Sequence, residues 1–323
     1  MITRRLLLGS AGTLAIHRAR AATPATLAVS STTLAYGGLR IALGAGLYAR
    51  NGIDLKVTVM DSGNAALAAV LGGSVAFASA GPGEVLAARM HGQDIVIVLN
   101  FYRGLLASLI LSKATAAKTG VAPNAPLEKR LHALDGLTIA LPSPTSSVLQ
   151  PYKAAAEGVG AKMKYAYMTQ AATVAALQAG AVEGGLLVPP FSLAALANGS
   201  GIIWINGPRS ELPADVSPTS SVCAQTTSAY AKANPTVIAA MRQTAKDLGV
   251  FLRERPQDAL THLMHAYPSL DEASAKALLI ENTPNWSNPT LSVDDIKQEI
   301  SILVRANGLP GVEKVDPAAV LWP

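Results

Sequence analysis

Several short segments of this chain combine glycine, serine and threonine where an apolar stretch ends and a helical pattern begins. They are Ser30-Ser31-Thr32-Thr33, Asp61-Ser62-Gly63-Asn64, Ala80-Gly81-Pro82-Gly83, Ser143-Pro144-Thr145-Ser146-Ser147, Met168-Thr169-Gln170 and Val188-Pro189-Pro190. A helix N-terminus offers unbonded N–H groups and a partial positive charge. Small hydroxyls beside it add further hydrogen bonds. Such turns can hold a small polar or anionic molecule without any cationic side chain. Ser31, Thr32, Ser62, Gly63, Gly81, Gly83, Thr145, Ser146, Ser147 and Pro189 are therefore the candidate ligand contacts. Any one of these turns is more often just a helix cap. The functional reading rests on how many of them a parallel topology would gather on one sheet edge.

Arg103 is the sharpest single candidate. It follows an apolar strand in Asn100-Phe101-Tyr102-Arg103-Gly104, where it could grip an anion bidentately, with the aromatics covering an apolar part of the ligand. The plain alternative is an exposed loop arginine. Glu84 falls in the first turn of a helix, where pairing with the helix dipole is sufficient reason for an acid.

Signals for covalent chemistry are thin. There is no G-x-S-x-G and no phosphate-loop motif. Gly44-x-Gly46-x-x-Ala49 spells a dinucleotide fingerprint but lies within a helical pattern rather than after a strand. His262 and His265 share a helix without a third ligand nearby. Cys223 is the lone cysteine, which rules out an internal disulfide and reads as a small buried residue. No catalytic residue, metal or cofactor is expected, and the chain is read as a binding protein rather than an enzyme.

The elements that must position these turns alternate. Strands are expected at 26–30, 54–60, 75–79, 95–99, 105–111, 137–141, 163–168, 185–188, 202–205 and 219–224. Helices are expected at 36–50, 64–71, 83–91, 147–158, 171–179, 190–198, 235–254, 256–266, 271–281 and 292–306. This order predicts an α/β fold with mixed, mostly parallel sheets. Two polar or proline-rich breaks, 112–126 and 206–218, bracket a compact block and read as crossings between two lobes. The expected division is a discontinuous first lobe, 22–115 plus 217–323, around a second lobe, 116–216.

Gly46-Leu47-Tyr48, Asn51-Gly52-Ile53-Asp54 and Gly73-Ser74-Val75-Ala76-Phe77-Ala78 together resemble the periplasmic solute-binding proteins of ABC importers for nitrate, sulfonates, taurine and thiamine precursors. Leu134-Asp135-Gly136 resembles that family's entry to the second lobe. Val75-Ala76 departs from the pattern, which favours an aspartate there, and Leu137 stands where lysine is common. The resemblance implies a two-lobe periplasmic binding protein fold with two interlobe crossings. It also implies a small-molecule ligand in the cleft, expected to be an anionic organic solute, and an inner-membrane ABC permease as partner. Two other readings stay open: an enzyme on the same fold, such as a thiamine-pyrimidine synthase, and the ligand-binding partner of a membrane sensor. The synthase reading lacks the cysteine-rich motif those relatives use.

Export fits the N-terminus. Arg4-Arg5 precede an apolar run from Leu6 to Ile16, and Ala19-Arg20-Ala21 offers a cleavage site, so residues 1–21 are read as a signal peptide, twin-arginine or general secretory, leading to the periplasm. The whole chain carries 26 basic and 21 acidic residues. The four arginines of the leader take its excess with them, leaving the mature chain close to neutral. That balance gives no electrostatic footprint for nucleic acid or an anionic membrane, and a monomer is expected.

Overall fold

The computed structural model describes residues 22–60 and 62–323, so the signal-peptide reading of 1–21 lies outside the described residues. Among the described residues, ten strands form two sheets of five. The first contains β1 (Thr23–Val29), β2 (Ile53–Val59), β3 (Phe77–Ala80), β4 (Val96–Arg103) and β10 (Ser220–Thr226), in the order β2-β1-β3-β10-β4. The second contains β5 (Ser108–Ser112), β6 (Thr138–Leu141), β7 (Lys164–Tyr167), β8 (Gly184–Leu187) and β9 (Gly201–Ile205), in the order β7-β6-β8-β5-β9.

Helices cover both sheets. In the first half they are α1 (Gly37–Gly44), α2 (Leu47–Arg50), α3 (Gly63–Leu71), α4 (Pro82–Met90), α5 (Lys113–Thr119), α6 (Leu127–His132) and α7 (Leu149–Gly158). They continue with α8 (Gln170–Ala179), α9 (Phe191–Ala197), α10 (Ser228–Ala233), α11 (Pro235–Glu254), α12 (Pro256–Ala266), α13 (Glu272–Trp286) and α14 (Val293–Arg305). No helix among the described residues is long and apolar enough to cross a membrane.

The two sheets share one design. A parallel βαβ core (β2, β1 and β3 in one; β7, β6 and β8 in the other) receives one strand that arrives from the opposite lobe. That strand runs antiparallel to its neighbours: β10 against β3 and β4, and β5 against β8 and β9. A chain entering a sheet from the other lobe comes in at the end where the resident strands finish, which accounts for the mixed pairing. Both crossing strands are wholly buried, as expected for strands covered on both faces; β5 is mainly apolar, whereas β10 carries the polar Ser220, Ser221, Gln225 and Thr226.

The first crossing differs in place from the sequence expectation. β5 already pairs with β8 and β9, so the chain leaves the first sheet between Arg103 and Ser108, not within 112–126. The Ala/Lys/Thr composition that suggested a linker builds α5 instead. Its N-terminus is capped by Ser112, whose hydroxyl accepts from the Thr115 N–H at 3.0 Å. Its end is Gly120, at φ 65°, a conformation glycine adopts readily. The return crossing runs from Asn206 to Thr219. The two passages lie against each other: the Tyr152 hydroxyl donates to the Ala107 carbonyl at 2.7 Å, and Gly207 is packed so closely on both that a Cβ there would stand 2.6 Å from the Tyr152 Oη.

The C-terminal helices complete the first lobe. Gly37 and Gly38 of α1 lie directly on the Trp286 indole of α13, where no larger side chain fits. Tyr102, at the far end of β4, donates to Asn282 Oδ1 of α13 at 2.6 Å. Large buried side chains, among them Tyr36, Phe77, Tyr102, Tyr152 and Trp204, fill the interiors of both lobes without a disulfide.

Candidate functional site

The carboxyl ends of the parallel strands in both lobes face one cleft. From the first lobe, Ser30, Ser31 and Thr33 follow β1, Ser62 and Gly63 open α3, and Gly81 and Glu84 open α4. From the second, Ser143, Ser146 and Ser147 lie between β6 and α7, Gln170 opens α8, and Val188 follows β8. Leu106, from the first crossing, and Ser221, at the start of β10, also line the cleft. The enclosed space is about 60 Å³, room for a handful of heavy atoms.

Contacts bridge the cleft directly. The Gly83 N–H donates to Ser147 Oγ at 3.0 Å, and the Leu34 N–H donates to the Pro189 carbonyl at 2.7 Å. Thr145 Oγ1 lies 3.3 Å from Asn64 Oδ1. Beyond the rim, Lys153 Nζ of α7 reaches the Asn307 carbonyl after α14, and Arg305 pairs with Asp215 in the return crossing. The lobes are therefore in a closed arrangement.

Glu84 dominates the electrostatics. Its side chain turns back so that Oε2 accepts from the Gly81 N–H at 3.1 Å, the return arm of a helix-capping arrangement. Burial pushes its carboxyl up to about 8. The N–H groups of Glu84 and Gly81, with the hydroxyl and N–H of Ser147, pull the other way without overcoming burial. Among the described residues lining the cleft there is no lysine, arginine or histidine, and Glu84 is the one acid. The neighbouring Tyr36 is buried, its hydroxyl 2.7 Å from Ser30 Oγ and 3.3 Å from the Ser79 carbonyl. Burial raises its pKa too, so it stays a neutral hydrogen-bonding wall.

Ser143 Oγ is buried and has no hydrogen-bond partner, although the residue lines the cleft. A buried hydroxyl without a partner is costly; here it is available to a guest. Gln170 is committed elsewhere: its Oε1 accepts from the Val188 N–H at 3.0 Å and its Nε2 reaches the Leu186 carbonyl, tying the start of α8 to the end of β8.

The structure brings together Ser31, Ser62, Gly63, Gly81, Ser146 and Ser147 among the candidates from sequence. Gly83, Thr145 and Pro189 instead make the bridges between lobes, and Thr32 is exposed just outside. Arg103 does not enter the cleft. The strand expected to stop at 99 continues through Arg103, beside Ser220, which carries its side chain to α14. There the guanidinium donates to Asp295 Oδ1 at 2.8 Å and to the Thr290 carbonyl at 2.9 Å. Burial works against the Asp295 charge, yet the Ser292 N–H and hydroxyl together with Arg103 hold its carboxyl below the usual range. Arg103→Ala is expected to lower stability by about 1 kcal/mol, the scale of a partly exposed ion pair, and to leave ligand affinity unchanged. Urea denaturation and calorimetric titration of the variant check the two halves; a large loss of affinity would return Arg103 to the site.

Glu84, Ser143, Leu106 and Ser221 line the cleft but are not among the contacts expected from sequence. A larger cavity, about 320 Å³, lies on the outer side of β4 between Leu99, Arg242, Leu291 and Trp322. It belongs to one lobe, and the Arg242 guanidinium there is taken by the carbonyls of Val98, Trp322 and Pro323. Its occupant could not be sensed by closure, so the interlobe cleft is the stronger site. Among the described residues no cluster of three or more His, Cys, Asp or Glu is placed to hold a metal.

Two sheets joined by two crossings, with a polar cleft between, define the periplasmic binding protein fold, and comparison with known proteins agrees. Residues 35–186 match the family model described as NMT1/THI5 like. A protein of known structure from Bordetella bronchiseptica RB50 is 20% identical, with a TM-score of 0.76 over 93% of this chain and 94% of that one. The alkanesulfonate-binding protein SsuA from Xanthomonas axonopodis pv. citri, solved bound to MOPS, is 19% identical, with a TM-score of 0.73 over 94% and 99%. The periplasmic nitrate-binding protein NrtA from Synechocystis PCC 6803 is 14% identical, with a TM-score of 0.70 over 92% and 87%. No curated protein sequence matches the chain.

Proposed function

We propose that this protein is the exported substrate-binding component of an ABC-type importer, which captures a small organic solute between its lobes and presents the closed form to an inner-membrane permease. The observation that carries the reading is the bond from the Gly83 N–H to Ser147 Oγ, flanked by Glu84 and the unpartnered Ser143 hydroxyl. It ties a helix start in one lobe to a helix start in the other, at the point where a ligand would touch both. A guest that contacts both lobes favours the closed state by its differential affinity for that state.

The lobe boundaries on this reading fall at the crossings 104–107 and 206–219, and bending belongs there. Cys223 is a packing residue: it is buried, burial pushes its thiol well up, and its sulfur lies 3.0 Å from Gln225 Nε2. That environment does not suit a nucleophile, which places a THI5-like synthase second. Small-angle scattering of the mature chain, with a panel of small solutes first ranked by thermal shift, tests the proposal. A solute that raises the melting temperature should also shrink the radius of gyration. Binding without contraction would count against hinge closure.

A further inference from the structure

We propose that the cleft selects small uncharged or cationic solutes that present N–H donors, with Glu84 as the acceptor that sorts them from anions and Ser143 Oγ as a second contact. The inference rests on the cleft reading above and narrows its substrate class. Three observations carry it. First, the ionisable side chain lining the cleft among the described residues is an acid, with no cation beside it. Second, two helix-start donors that a free anion could use are already engaged. The Gly81 N–H is held by Glu84 Oε2 and the Gly83 N–H by Ser147 Oγ, and Arg103 is paired with Asp295 on another face. An anion entering here would have to displace the protein's own carboxyl from the start of α4. Third, the Ser143 hydroxyl, 5% exposed as a residue, lines the same space without a partner. A guest with nitrogen donors completes both groups at once, because Glu84 accepts and the hydroxyl accepts or donates.

The space of about 60 Å³ limits the guest, or the part of it that enters the closed cleft, to a few heavy atoms. An amide, amidine or guanidine head fits that size. The titratable groups that couple to Glu84 are Tyr36, from the turn after β1, and Cys223, from β10; Glu299, from α14, couples to Cys223 in turn. The tyrosine and the thiol are both raised by burial and remain neutral through the range in which Glu84 titrates. Glu299 is a further acid, so its ionisation also opposes an incoming anion.

Three probes of one shape and different charge test the proposal: acetamidinium, acetamide and acetate, titrated calorimetrically into the mature chain. Acetamidinium should bind more tightly than acetate at pH 9, where Glu84 is ionised. Its affinity should rise about 100-fold between pH 6 and pH 9, because each pH unit below the Glu84 pKa costs roughly tenfold for a cation. Acetate should weaken over the same range, and acetamide should change little. Glu84→Gln should remove the pH dependence and, at pH 9, weaken acetamidinium by at least about 30-fold, in line with loss of one partner of a desolvated charge pair. Ser143→Ala should weaken acetamide about fivefold, the scale of one neutral hydrogen bond.

Acetate as the tightest probe, an acetamidinium affinity that does not rise with pH, or no binding of either nitrogen probe would overturn the proposal. The wild-type pH series decides the question even if Glu84→Gln fails to fold. Scattering separates the two levels of inference. Closure around a sulfonate with no response to nitrogen donors sinks the substrate class and leaves the cleft reading intact, whereas no closure with any solute sinks both.

Discussion

Gly81→Val is expected to yield a folded protein whose affinity for its solute is about 100-fold lower. Gly81 caps α4 at φ −80°, a backbone conformation open to any residue, so the substitution brings no backbone strain. What it brings is volume at the seam between lobes. A Cβ at Gly81 would clash with Ser147 Oγ, stand 2.6 Å from Ser147 Cβ, and lie 3.0 Å from Glu84 Oε2. The serine belongs to the other lobe, so the closed state bears most of the clash and the open state little of it. Overfilling a tightly packed contact costs roughly 1–3 kcal/mol, and a branched side chain belongs at the upper end. That penalty subtracts directly from the free energy by which a ligand closes the cleft. Gly158→Ala, where a Cβ meets nothing within 4 Å, is the control. Calorimetry and scattering should show weak binding and an unclosed radius for Gly81→Val alone. Wild-type affinity in that variant would mean that the lobes need not meet at Ser147.

Stability is expected to fall as pH rises from about 5 to 9, by on the order of 5 kcal/mol. Two buried acids set the direction. Burial pushes Glu84 up to about 8 and Glu299 up to about 7, the latter despite bonds from the Thr219 and Ser220 N–H groups. Both lie above the ordinary glutamate range near 4.3 that the unfolded chain would show. The folded protein therefore holds two protons that the unfolded chain releases. Their contribution is complete below the unfolded pKa and is lost as pH climbs through about 7 and then about 8. Glu183, Asp271 and Asp295 are shifted downward, so they act in the opposite sense and at more acid pH. Urea denaturation across this range measures the slope, and Glu299→Gln should remove roughly half of it. A midpoint that rose with pH would contradict the burial of these two carboxyls. Glu299 holds the end of the return crossing and Glu84 lies at the seam, so the same titration should favour the open form.

The alternation of strands and helices was legible because apolar runs ending in small polar turns leave few other foldings. All ten strands lie close to their expected places, and α11 and α12 coincide with 235–254 and 256–266. The short α5 and α10 were not legible: their runs of small and lysine residues resemble linker composition, and their Ser112 and Thr227 caps stand out only once neighbours are known. The cleft could be read as a set of turns, but not its charge. Arg103 looked like a ligand because an arginine beside aromatics at a strand end is well placed for one; its partner Asp295 lies 192 residues away. Glu84 looked like a first-turn acid serving a helix dipole. It does serve one, but it is also buried and hydrogen-bonded by Ser147 of the other lobe, a contact that no local pattern encodes.

The position of β10 also bears on how the chain is made. The second sheet uses residues 108–205 without interruption, whereas the first lacks its connecting strand until Thr226 has been added. Before then β3 has no bond to β4, and the pairing that will join them spans 143 residues from Cys223 to Ala80. A nascent chain that has reached Ile205 therefore carries one finished lobe and another split into two fragments, each with a bare strand edge. Bare edges are where chains pair with the wrong neighbour. The stretch of synthesis between Ile205 and Thr226 is when this protein most needs to be kept apart from copies of itself.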